Sequence, residues 1–134
     1  MPSDTQPLHL ASTHLRLRPD TSVETLTVDE TFWMRLASGA LGSFHDEYLV
    51  TLQRYAEAWS MSEMHPAGDE VVCLIDGAMD FELEEDAGTR IVALRGAGEF
   101  VIVPRGTWHT ARPQPRATLL FITPGEGTRH RPAS

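Results

Sequence analysis

Apolar and polar residues alternate along most of this chain with the period of a β-strand. Trp59, Met61, Glu63 and His65 fall on one strand face, and Glu70, Val72 and Leu74 share the next. Met79, Phe81 and Leu83 then alternate with Asp80, Glu82 and Glu84, giving one apolar face and one acidic, solvated face. Arg90–Leu94, Phe100–Val103 and Thr118–Thr123 are further strand-like runs. Turn-forming residues separate them: Pro66-Ala67-Gly68-Asp69, Asp76-Gly77 as a hairpin signal, Asp86-Ala87-Gly88 and Pro104-Arg105-Gly106. Upstream, Leu8–Leu10 and His14–Arg18 alternate, and Val23–Val28 is strand-like with less regular spacing. Leu49–Leu52 and Tyr55–Trp59 are read as strand from their composition, although Phe44, Tyr48, Leu49, Leu52 and Tyr55 also suit a helical spacing.

One segment reads as a helix. Thr27 and Glu30 have the spacing of a capping box, Phe32, Trp33, Leu36 and Ala37 follow on one helical face, and Gly39 stands where a helix stops. This predicts a short helix over about 28–38. Nine or ten short strands and one helix define an all-β barrel or double-sheet sandwich. Residues 1–7 are expected to form a loose arm, 8–123 the barrel and 124–134 a Gly/Pro/Arg tail.

Composition narrows the function. At 134 residues, 1–134 is one domain with room for a real core. The net charge of −8 argues against nucleic acid, whose phosphates would be repelled. All 11 basic residues are arginine, so Schiff-base chemistry and a phosphate-loop lysine are excluded. The single cysteine, Cys73, rules out an intrachain disulfide framework, and with no adjacent base it reads as a packing residue. No apolar run spans a bilayer and no secretory signal is visible, so the expected compartment is the cytoplasm, without membrane partners.

The candidate chemistry lies at the two ends of the segment from Glu63 to His109. Glu63 and His65 share a strand face, Glu70 returns across a turn, and His109 lies on a strand that can fold alongside. Two imidazoles and two carboxylates suit a divalent Fe, Mn, Ni or Zn ion. His65, Glu70 and His109 alone make a two-His, one-carboxylate set with open positions for substrate or dioxygen, and Glu63 is then a fourth ligand or a nearby catalytic base. His9, His14, His45 and His130, each standing alone, read as surface or packing residues. Trp59, Met61, Phe100, Ile102, Trp108 and Phe121 are candidates for an apolar pocket, with Tyr48, Gln53, Arg54 and Tyr55 as polar contacts.

At these residues the chain resembles the cupin family. His65, Glu70 four residues on and Gly77 six further match most of the first cupin motif, and Gly98, Pro104, Gly106 and His109 match the second at every spacing. Glu63 stands where the first motif has its first histidine, the glycine opening that motif is absent, and Pro113 replaces the asparagine ending the second. The resemblance implies a double-stranded β-helix (a jelly-roll barrel). It also implies a homodimer and a metal-dependent dioxygenase, isomerase, epimerase or lyase acting on a small organic molecule. The alternative is a non-catalytic module that holds a small ligand or senses a metal. Leu8–Leu17 is the candidate for a swapped or edge-covering element.

Overall fold

Two long strands form the spine of the molecule. The computed structural model describes residues 6–133, with nine strands and one helix among them. The spine strands are β5, Glu70–Glu85, and β8, His109–Pro124, which pair antiparallel over most of their length. Around them lie β1 (Thr13–Leu17), β2 (Val23–Thr27), β3 (Tyr48–Tyr55), β4 (Met61–Met64), β6 (Gly88–Leu94), β7 (Phe100–Val103) and β9 (Arg129–Pro132), with helix α1 at Phe32–Ala37. One path of the sheet runs β2-β1-β3-β8-β4-β9, while β5 pairs with β6, β7 and β8. The sheet curls on itself, so that one side of every central strand faces a common interior.

The interior follows from the alternation. Val72, Leu74, Met79, Phe81, Leu83, Leu119 and Phe121 are buried in one cluster with Val101 and Val103. A smaller cluster of Leu26, Phe32, Phe44 and Leu49 sits under α1. Helix α1 thus covers apolar sheet surface through Phe32, its one buried side chain. No helix among the described residues is long and apolar enough to cross a membrane.

Several expectations change. Asp76-Gly77 is not a hairpin: β5 runs straight through it, with register shifts between Leu74 and Asp76 and between Gly77 and Met79. Gly77 has φ +83, and a Cβ there would sit 2.2 Å from the Arg116 carbonyl oxygen, so close backbone approach selects glycine. The two shifts let Val72 and Leu74, then Met79 and Phe81, all point inward although the two pairs are an odd number of residues apart.

The helix is shorter than 28–38, and the capping box does not form. Thr27 is the last residue of β2, and Asp29 instead turns the chain by accepting hydrogen bonds from the Thr31 amide and hydroxyl. Leu8–Leu10 lies outside the strands, and β3 ends at Tyr55, so Ala56–Trp59 is not strand. The expected tail holds strand β9, which pairs with β4. The acidic face of β5 is not simply solvated: Asp80, Glu82, Glu84 and Glu85 pair with Arg95, Arg112, Arg131 and Arg90. Cys73 sits on the face opposite Val72 and Leu74, as read from the sequence. Within Leu8–Leu17, strand β1 pairs with β2 along Thr13–Leu17 and with β3 over Leu15–Leu17 of its own chain. The expected arm at residues 1–7 lies mostly outside the described residues.

Candidate metal centre

Backbone hydrogen bonds tie the two motif halves together. The Pro104-Arg105-Gly106 turn closes with the Thr107 amide donating to the Pro104 carbonyl at 3.1 Å. From that turn the Gly106 amide donates to the His65 carbonyl at 3.0 Å, and the Arg105 amide to Asp69 Oδ1 at 2.8 Å. Strand register does the rest: Glu63 lies opposite His109 between β4 and β8, and Glu70 opposite Val103 between β5 and β7. The four residues proposed from spacing are therefore brought to one place. His65, Glu70 and His109 are buried, at 3%, 1% and 1% exposure, whereas Glu63 is partly exposed at the edge of the group.

The donor atoms converge. Glu70 Oε1 lies 3.4 Å from His65 Nε2 and 3.2 Å from His109 Nε2. Glu63 Oε1 is 3.8 Å from His65 Nε2, and one ligand atom each of Glu63, His65 and His109 lie within 4.8 Å of one another. The outward-facing atoms of the same side chains are already engaged. His65 Nδ1 is 2.9 Å from the Thr128 hydroxyl, His109 Nδ1 is 3.0 Å from the Thr107 carbonyl, and Glu70 Oε2 accepts from the Thr123 hydroxyl at 2.7 Å. What remains is His65 Nε2, His109 Nε2 and Glu70 Oε1, all buried and without an aligned hydrogen-bond partner. Buried polar atoms in native proteins are rarely left so.

The electrostatics explain what such atoms need. The Thr107 carbonyl can only accept, so His109 Nδ1 carries hydrogen, and a neutral His109 aims the Nε2 lone pair at the Glu70 oxygen. Two lone pairs at 3.2 Å repel unless a proton or a cation lies between them. Burial alone would push the Glu70 carboxyl up, but the contacts with His109 and His65 outweigh it and hold it down to about 2. Burial likewise disfavours a charged His109, yet Glu70 overrides this and raises its pKa above the ordinary imidazole value. The donor set and its threonine and carbonyl supports fit a divalent cation.

Glu63, His65 and Glu70 of this group line a cavity of about 610 Å³. Trp59 and Phe121 line it, as do Gln53 and Tyr55. Met61, Phe100 and Ile102 instead point outward, at 37%, 58% and 51% exposure, Trp108 lies beneath the Arg131 guanidinium at 4.1 Å, and Tyr48 and Arg54 do not reach the cavity. Two features escaped the sequence reading. Strand β9 places His130 opposite Glu63, its Nε2 3.4 Å from Glu63 Oε2, and Trp33 and Leu36 of α1 form part of the cavity wall. No local motif announces either.

No protein-family model matches the chain, and no curated protein matches it significantly. Solved structures do. A cupin-2 domain containing protein from Shewanella frigidimarina is 22% identical over 57% of this chain and 70% of its own, with a TM-score of 0.49. Hydroquinone 1,2-dioxygenase from a Sphingomonas species, with 4-hydroxybenzoate bound, is 18% identical over 64% of this chain and 60% of its own, with a TM-score of 0.48. Oxalate decarboxylase from Bacillus subtilis, which has Mn(II) centres, is 16% identical over 64% of this chain but only 23% of its own, with a TM-score of 0.50. At such identities the likeness is one of fold. The chain has a cupin fold, and its structural neighbours include metal-dependent enzymes.

Proposed function

We propose that this protein is a metal-dependent cupin enzyme acting on a small organic molecule, with His65, Glu70, His109 and Glu63 around one divalent ion. The observation that carries this reading is the convergence of three buried, unpartnered donor atoms on His65, Glu70 and His109. Two carboxylates beside two imidazoles offset a divalent charge and favour Fe or Mn within the set Fe, Mn, Ni and Zn. A bound ion of this kind supplies Lewis-acid polarisation or a redox centre.

The chain's own residues have separable tasks. Thr128, Thr107 and Thr123 fix the orientations of His65, His109 and Glu70. Glu63, half-buried between His65 and His130 and lining the cavity, can take a proton from a substrate held there. That role fits isomerase, epimerase or lyase chemistry, and in a dioxygenase the same carboxylate completes the donor set. Glu63→Gln should abolish turnover while ligand binding persists; a Glu63→Gln protein with full activity removes Glu63 from the mechanism.

The test of the metal reading uses protein purified without a histidine tag, with metal content measured directly. Bound metal is expected, and metal at about a hundred times its Kd should add about 2.7 kcal/mol of stability. No bound metal, and no change in melting on adding Mn, Fe, Ni or Zn, overturns the reading.

The assembly we propose is a homodimer. Support comes from the exposed Phe100 and Ile102 of β7, which continue cross-strand rows through the partly exposed Cys73, Leu120 and Leu52 and through Val71 and Ile122. An apolar outer face beside the short strand β7 is the kind of surface a second copy covers. Sedimentation of a stable monomer overturns this assembly.

A further inference from the structure

Charge is distributed unevenly around the cavity. Of the eleven arginines, Arg16, Arg18, Arg35, Arg90, Arg95, Arg112 and Arg131 are in ion pairs with carboxylates, and Arg54, Arg105, Arg116 and Arg129 are exposed. None lines the cavity, and the chain has no lysine. The guanidinium of Arg16 comes near, but it lies 4.1 Å over the Phe44 ring and is held by Glu24 and Glu47. Among the described residues, the titratable groups on the wall are Glu63, Glu70 and Glu126 with His65, His130 and Tyr55. Glu63 faces His65 and His130, Glu70 faces His65 and His109, and Glu126 faces His45. Each imidazole on this wall or against its carboxylates is itself in contact with one of them, so no cationic group here lacks a carboxylate partner. A divalent ion would be matched by Glu63 and Glu70, and Glu126 is matched by His45, so no cation is left over for an anionic ligand.

The rest of the wall is apolar or neutral. Trp33, Leu36, Phe44, Tyr55, Trp59 and Phe121 supply flat, mostly aromatic surface. Thr51, Gln53 and Tyr55 alternate along β3, so all three side chains face the cavity. They form a ladder, with the Tyr55 hydroxyl donating to Gln53 Oε1 at 2.6 Å and Gln53 Nε2 donating to the Thr51 hydroxyl at 3.1 Å. The ladder offers neutral donors and acceptors and no cation.

We propose that this cavity selects an uncharged, largely apolar ring compound with a hydroxyl or carbonyl group, and rejects carboxylates and phosphates. A buried anion here would meet no arginine or lysine, and no imidazole free of a carboxylate, which is the costly way to bury charge. An uncharged ring loses little on leaving water, stacks on the aromatic wall and bonds the ladder. The proposal rests on the reading of this cavity as the substrate site, but selection by charge acts with or without the metal.

The experiment compares naphthylmethanol with naphthoate, which share a ring system and differ in charge, by titration calorimetry on metal-free protein and on protein given Mn(II). The alcohol should bind at least about tenfold more tightly than the acid in both states, a difference of about 1.4 kcal/mol. Equal or tighter binding of naphthoate to the metal-free protein, or no binding of the alcohol at millimolar concentration, overturns the proposal. Failure of the metal reading looks different: Mn(II) neither binds nor raises the melting temperature, while the preference for the alcohol persists. Gln53→Arg, or Glu126→Arg at the cavity wall should the first variant not fold, should shift the preference toward naphthoate by about tenfold. A folded variant of either kind with an unchanged preference rules out charge as the selector.

Discussion

Two imidazoles in this molecule are almost equally buried, in unlike surroundings. His109 sits beside the cavity-lining Glu70, whose Oε1 lies against its Nε2, and His14 sits under α1 beside Phe32, at 4.8 Å between ring centroids, and Trp33, at 5.9 Å. Both have a ring nitrogen without a hydrogen-bond partner. At His109 the bare atom faces the bare Glu70 oxygen, whereas the His14 ring packs against two aromatic rings. The difference shows in their acidity: burial lowers the pKa of His14, whereas Glu70 overrides burial and raises that of His109. Burial of a histidine therefore says little by itself. Convergent unpaired donors separate a candidate centre from a packing residue.

Glu70 is where the two sites differ most. Glu70→Gln keeps the shape but removes the central charge, so metal affinity should fall by about a hundredfold or more, measured by competition with a chelator. Phe32→Ala should act on the other region alone. Truncating this fully buried ring costs about 3–5 kcal/mol in denaturant unfolding, with metal affinity of the folded protein unchanged. Thr128→Val removes the partner of His65 Nδ1, and affinity should drop by about 10–100-fold with little change in metal-free stability. A Thr128→Val protein that binds metal normally would detach the outer support from the centre.

The smallest effect is in pH dependence, where the two histidines have opposite signs. The raised pKa of His109 adds stability to the metal-free protein that is full below the ordinary imidazole value of 6.5 and is lost as pH rises through the folded value. Glu70, held down to about 2 from an ordinary 4.5, adds stability that is full above 4.5 and is lost as pH falls toward 2. The lowered pKa of His14 works the other way: its neutral form is accommodated above 6.5, and stability falls as pH drops below that value. His14→Phe, which cannot ionise, should flatten melting temperature against pH on the acid side of 6.5. An unchanged profile would show that His14 does not titrate in folding.

Legible in the sequence were the shared faces along β5 and β7, the turns at Asp86–Gly88 and Pro104–Gly106, and the spacing of His65, Glu70 and His109. These are local properties, set by a side-chain period of two and by the conformations open to proline and glycine. Tertiary structure decided which face of each strand looks inward. Phe100 and Ile102 alternate with Val101 and Val103, all four are apolar, and only the pairing with β5 turns the valines into the core. It also decided that β5 carries two register shifts at Gly77 in place of a hairpin, because the close approach of the Arg116 carbonyl lies far along the chain. The pairing of β9 with β4, which sets His130 against Glu63, and the placement of Trp33 beside the cavity are likewise long-range. Hydrophobic period carries no information about which distant strand a segment will meet, and the cavity's charge and walls depend on those meetings.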